Sequence, residues 1–171
     1  LDAPSHLGIT SGKIAAISEM PLVGADTIDA SGLVVAPGFI DLHSHSIGSG
    51  GEQWQVRDGV TTSLELEEGT FPVAEWYGRL EGKSVINYGA SAGHIPARIG
   101  VMQQAATLSE YLEWRHKGED GVPPRWSHAP AGETELAKVR ETLAAGLDAG
   151  GLGIGFEIAE SPGASREEIL M

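Results

Sequence analysis

From Ala36 onward, short apolar runs alternate with longer stretches of helical periodicity. That alternation is the signature of parallel β/α units, and it restricts the possible folds more than any other feature of the chain. Four strands are predicted, over 38–43, 60–67, 84–89 and 152–158, each running into polar residues or glycine. A helix is predicted over 134–148, where Leu136, Val139, Leu143 and Leu147 recur at three- and four-residue steps before Gly150 and Gly151 end it. Ser165 followed by Glu168 has the spacing of a capping box and predicts the start of another helix. Residues 106–133, with Gly-Glu-Asp-Gly, two adjacent prolines and Ala-Pro-Ala-Gly, read as a surface excursion around one short helix.

Four such units make about half of an eight-stranded barrel. The expected fold class is therefore α/β, the first half of a (β/α)8 TIM-like barrel over 36–171. A half-barrel leaves two strand edges unpaired, so completion by polypeptide beyond Met171 or by a second chain is expected. Residues 1–35 read differently. Strands over 6–10 and 13–18 flank a Ser11-Gly12 turn, and a weaker pair over 26–29 and 33–36 flanks Ala30-Ser31-Gly32, which together suggest a small β layer.

Composition narrows the function. The 171 residues are 41% hydrophobic and 20% charged, which suits a packed core and excludes disordered, collagenous and disulfide-stapled classes. A formal net charge of −13 repels phosphate backbones and anionic lipid surfaces, so neither nucleic acid nor membrane is an expected partner. No cysteine is present, consistent with a cytoplasmic setting. No apolar run approaches the length of a membrane span.

The most informative stretch is Ala36-Pro37-Gly38-Phe39-Ile40-Asp41-Leu42-His43-Ser44-His45. On a strand, side chains two residues apart point the same way, so His43 and His45 can converge on one cation. Neutral imidazoles suit a borderline divalent metal, and zinc is the expected ion. Asp41 shares their face and is positioned to accept a second ring proton.

Pro37-Gly38-Phe39-Ile40-Asp41-Leu42-His43-Ser44-His45 followed by Gly59-Val60-Thr61-Thr62 resembles the amidohydrolase superfamily of metal-dependent hydrolases. Within it, 87–94, Gly153-Ile154-Gly155-Phe156 and Ser161-Pro162-Gly163 are similar to landmarks of the D-aminoacylases, the N-acyl-D-amino-acid deacylases. The resemblance covers nearly the whole chain. It implies a β-sandwich built from both ends of the protein, with 1–35 as its leading strands, carrying a metal-bearing barrel. It also implies a hydrolase of non-peptide C–N amide bonds acting on a small N-acyl amino acid. The general base, a late-strand aspartate, and further histidine ligands are implied to lie beyond Met171. No catalytic proton-transfer group is then expected within this segment, which alone should be inactive. A cyclic-amide hydrolase or deaminase of the same superfamily, and a non-catalytic scaffold subunit, are the alternatives.

A third ligand should come from the second strand. Alternation turns Leu64 and Leu66 toward the helices and Ser63, Glu65 and Glu67 inward, which makes Glu67 the first choice. The D-aminoacylases carry a cysteine near this point, and counting from Gly59 places Glu68 on it, the second choice. A carboxylate can bridge two cations, so one or two zinc ions are expected. Glu157 is a weaker alternative ligand. His94, just after the third strand, and Arg98, whose guanidinium matches a carboxylate, are candidate substrate-binding residues. His6, His116 and His128 have no partner at suitable spacing. The tryptophans and Tyr77 read as packing residues.

Overall fold

The computed structural model describes residues 5–116 and 123–170. The Gly-Glu-Asp-Gly run and the chain end at Met171 lie outside the described residues. The chain divides into two compact units, Leu1–Pro37 and Gly38–Met171.

In the first unit, β1 (His6–Thr10) and β2 (Lys13–Ser18) pair antiparallel, with Thr10 opposite Lys13. Ser11 and Gly12 both have positive φ, 49° and 71°, the conformation of a two-residue turn whose twist matches that of the flanking strands. The second predicted strand pair does not form. The Asp29 carboxylate takes the Ser31 N–H at 2.9 Å and the Ala30 carbonyl takes the Leu33 N–H at 3.0 Å, giving a turn without a ladder. Leu33 and Val34 are exposed, so no buried face stabilises pairing there.

The second unit is built on a four-stranded parallel sheet in the order β3 (Phe39–Asp41), β4 (Val60–Thr70), β5 (Asn87–Gly93) and β6 (Ile154–Gly155). Sequential strands are neighbours, and helical segments fill the connections: α1 (Glu52–Arg57), α2 (Val73–Leu80), then α3 (His94–Met102), α4 (Leu108–His116), α5 (Arg125–His128) and α6 (Glu133–Asp148). A short 3-10 turn over Ile158–Glu160 and α7 (Arg166–Ile169) follow β6. The strands differ from expectation in extent. The third starts at Asn87 and runs to Gly93, and the fourth shrinks to two residues, an edge with a ladder on one side only.

Helix α3 is the hub of the core. One group of buried side chains joins Ile95, Ile99 and Met102 to Ala105, Leu108, Tyr111 and Trp126. Another joins Ala97 to Val73, Ala92, Val139 and Leu143. The first group corrects the reading of 106–133: Leu108, Tyr111 and Trp126 are buried there, so α4 and α5 are packed elements. Polar loop residues around them obscured three apolar anchors. The buried stripe of α6 is Val139, Leu143 and Gly146, whereas Leu147 is exposed. A Cβ at Gly146 would stand 2.7 Å from that of Ala92, so helix and sheet approach closely only without a side chain. At the N-terminus of α7, Ser165 Oγ accepts the Glu168 N–H, but the Glu168 side chain does not complete the box and is buried elsewhere.

Gly155 in β6 lies against β4. A Cβ there would come within 2.5 Å of the Glu67 carbonyl and 2.7 Å of the Leu66 carbonyl. Backbone oxygens cannot yield without moving the strand, so Gly155→Ala is expected to cost about 1–3 kcal/mol of stability. A denaturation midpoint matching the parent's would refute the close approach.

Candidate metal centre

Strand β3 ends at Asp41, and the chain bends so that the Ser44 N–H donates to the Leu64 carbonyl at 3.2 Å, keeping 42–45 alongside β4. The Asp41 carboxylate shapes the bend by accepting the His43 N–H at 3.1 Å and the Gln55 Nε2–H at 2.9 Å. Asp41 is therefore committed to backbone and to α1, and the expected contact with an imidazole ring is made by a different residue.

The two imidazoles converge. Their Nε2 atoms are 3.1 Å apart, and Glu67 Oε2 lies 2.6 Å from that of His43 and 3.4 Å from that of His45. Among the described residues these three form the group of His and acidic side chains able to share one ion. All are exposed, at 61%, 49% and 42% for the side chains, so the group opens to solvent at the C-terminal end of the parallel strands. That end is where α/β sheets place ligands.

Glu65, two residues before Glu67 and on the same face of β4, lies behind the group. Its Oε2 is 2.8 Å from His45 Nδ1, and its Oε1 is buried with no hydrogen-bond partner. With Nδ1–H donating to Glu65, the Nε2 lone pair of His45 faces Glu67. Burial pushes the Glu65 carboxyl above its ordinary value, against the pull of His45. At His45, burial disfavours the charged ring, but Glu65, Glu68 and Glu67 outweigh it and the pKa is raised.

The donor set fits a divalent cation. Two ring nitrogens and a carboxylate oxygen facing one point repel one another unless a proton or cation lies between them. Ligands on a tetrahedral zinc, with bonds of about 2.0–2.1 Å, would stand roughly 3.3 Å apart. The observed separations bracket that spacing.

The remaining candidates lie elsewhere. Glu68 turns to Tyr111 and Arg115, accepting Arg115 Nε–H at 2.8 Å, and is not brought to the histidines. Glu157 lies 3.4 Å from the same guanidinium. His94 and Arg98, expected to face substrate, are both wholly buried. Arg98 donates to both Glu168 oxygens at 2.5 Å and to the Trp126 and Ala129 carbonyls, and His94 Nε2 lies 2.9 Å from Glu168. These contacts tie α3 to α5 and α7, a structural role that replaces the expected substrate contact. Strand parity could have marked Glu65. Nothing local marked Arg115 or Tyr111, and the capping-box spacing marked Glu168 only for its helix start, because the side-chain partners of all three are distant in sequence.

Residues 26–91 match the amidohydrolase family. An N-acyl-D-glutamate deacylase from Alcaligenes xylosoxydans xylosoxydans is 28% identical over 96% of this chain and 35% of its own length. An allantoinase from Bacillus licheniformis is 32% identical over 53% of this chain and 24% of its own length. Two solved structures of D-aminoacylase superpose with a TM-score of 0.71 at 22% identity, covering 98% of this chain and 38% of theirs. One is a mutant in complex with CuCl2, and the other was described for the functional role of its binuclear metal center, with one-metal activation and second-metal attenuation. The sequence is thus similar to amidohydrolases over part or most of its length, and the fold is similar to that of D-aminoacylase. Within that group its likeness is to the D-aminoacylase type, and it spans about a third of the length of the deacylase and the D-aminoacylases it matches. No helix among the described residues is long and apolar enough to cross a membrane.

Proposed function

We propose that this chain is the metal-bearing part of a hydrolase of non-peptide C–N amide bonds, acting on N-acyl-D-amino acids in the cytoplasm. In this reading the parallel sheet is the first half of a (β/α)8 barrel, and 1–35 are part of a small β-sandwich. The observation that carries the proposal is the convergence of His43 Nε2, His45 Nε2 and Glu67 Oε2 at the C-terminal end of the strands. His43, His45 and Glu67 hold the cation, of zinc type, and Glu65 holds His45 in the tautomer that presents Nε2. When bound, a divalent cation supplies Lewis acidity and brings the pKa of water at the site toward neutrality. The exposure of the three side chains lets an acyl group approach from solvent. The general base belongs to the region beyond Met171, as the resemblance implies. The likeness to the deacylase over 96% of the chain supports the substrate class.

The allantoinase matches favour a second reading, hydrolysis of a cyclic amide. Release assays on the protein carrying this chain separate the two. Amine release from N-acetyl-D-amino acids, with little from the L-enantiomers, is expected. Ring opening of hydantoin-type substrates without deacylation would transfer the assignment to the second reading.

A further inference from the structure

Helix α1 reaches the histidine segment through one side chain that touches both ends of its bend. Gln55 Nε2 lies 2.9 Å from Asp41 Oδ2 and 3.1 Å from Ser44 Oγ. A carboxylate only accepts, so the amide turns its NH2 toward Asp41, and both N–H groups are then in use. Gln55 Oε1 is buried with no hydrogen-bond partner, so the position uses the donors of the amide and not its acceptor. Ser44 Oγ, accepting from Gln55, has its own hydrogen available for Ser46 Oγ at 3.1 Å. Asp41 Oδ1 accepts the His43 N–H at 3.1 Å. Gln55 therefore acts on the backbone of His43 through Asp41 and on Ser44, the residue that separates the histidines. Ser44 is buried whereas His43 and His45 are exposed, so the segment turns its back to the protein and its imidazoles outward. The approach of α1 is close: a Cβ at Gly51, its N-cap, would overlap that of Ser46.

We propose that Gln55 is a positioning residue of the metal centre, setting the directions of both imidazoles through Asp41 and Ser44. The inference rests on the proposed site at His43, His45 and Glu67. Glu65 contacts the ring of His45 alone, whereas Gln55 governs the backbone that carries both rings. Ligand nitrogens must be held to about 0.5 Å of their working places, which takes support from groups that never touch the ion. Without Gln55 the segment keeps its bond to the Leu64 carbonyl and stays beside β4, but its bend loses the tether to α1. The demand at this position is for donors. Leucine supplies none, and glutamate, of the same shape, sets a second carboxylate against Asp41. Lysine carries three N–H donors and a charge that suits Asp41.

Two measurements on the protein carrying this chain test this: zinc affinity by chelator competition, and the visible absorption of the protein loaded with cobalt(II), which reports the geometry around the ion. Gln55→Leu is expected to weaken zinc binding by about 10–100-fold and to alter the cobalt spectrum. Gln55→Glu should weaken binding at least as much, and Gln55→Lys should recover most of the loss. Adding Ser44→Ala to Gln55→Leu should cost little more, because both act on one contact. Gln55→Glu keeps the inference testable if Gln55→Leu fails to fold. Parental affinity or an unchanged cobalt spectrum in folded Gln55→Leu or Gln55→Glu would overturn the role of Gln55 and leave the metal site standing. Binding by Gln55→Lys as weak as that by Gln55→Leu would do the same. Failure of the parent to retain any ion would overturn both.

Discussion

Glu168→Gln is expected to lower the free energy of unfolding by about 3–5 kcal/mol, the usual cost of removing one partner from a buried ion pair. Glu168 and Arg98 are both fully buried, and Arg98 makes two bonds to the carboxylate. After the substitution, the guanidinium charge would be held in the core by neutral acceptors alone, the amide oxygen and two backbone carbonyls, with the amide NH2 facing it where a carboxylate oxygen stood. Arg98→Met should cost a similar amount for the converse reason. The double variant should cost less than the sum, because removing both charges leaves neither stranded. Urea denaturation checks all three, and additive losses would show that the pair is not coupled. The same contact predicts an acid limb. Burial alone would raise the Glu168 carboxyl, but hydrogen bonds from His94 and Arg98 hold it below its ordinary value. Its contribution is therefore fully present above the unfolded carboxylate's pKa and is lost as pH falls through the lower folded value. Glu168→Gln should flatten that part of the stability profile.

Removing a residue of the proposed metal centre should have its largest effect on metal affinity. His43→Ala, His45→Ala and Glu67→Ala each delete one of three converging donors and are expected to abolish retention of zinc against a competing chelator. Glu65→Ala removes only the partner of His45 Nδ1, and a loss of about 10–100-fold in affinity is expected. Glu65→Gln keeps an acceptor oxygen and should fall between Glu65→Ala and the parent. Chelator titration gives the order, and parental affinity in Glu65→Ala would remove Glu65 from the centre.

Much of this architecture was legible locally. The Ser11-Gly12 turn marked its hairpin because positive φ at both positions matches the twist of paired strands. The β/α alternation gave the parallel sheet, and parity within β4 separated Glu67 from Glu68, since a side chain's direction on a strand depends only on its position. Parity had less authority at His43 and His45, because the strand ends before them. Their convergence depends on a bend held locally by Asp41 and, through contacts spanning 11 to 20 residues, by Gln55 and the Leu64 carbonyl. The second predicted strand pair failed for the same kind of reason, since strand propensity needs a partner surface that propensity cannot supply.

Periodicity and residue type by themselves therefore determined the class of fold, the order of its strands and two imidazoles able to share an ion. Tertiary structure decided which acidic residues accompany them, that His94 and Arg98 belong to the core, and that Arg115 pairs with Glu68 and Glu157. Alternation and helical period are properties of neighbouring residues. The choice of ionic partner depends on which distant segments packing brings within a few ångströms, and on how much water remains between them.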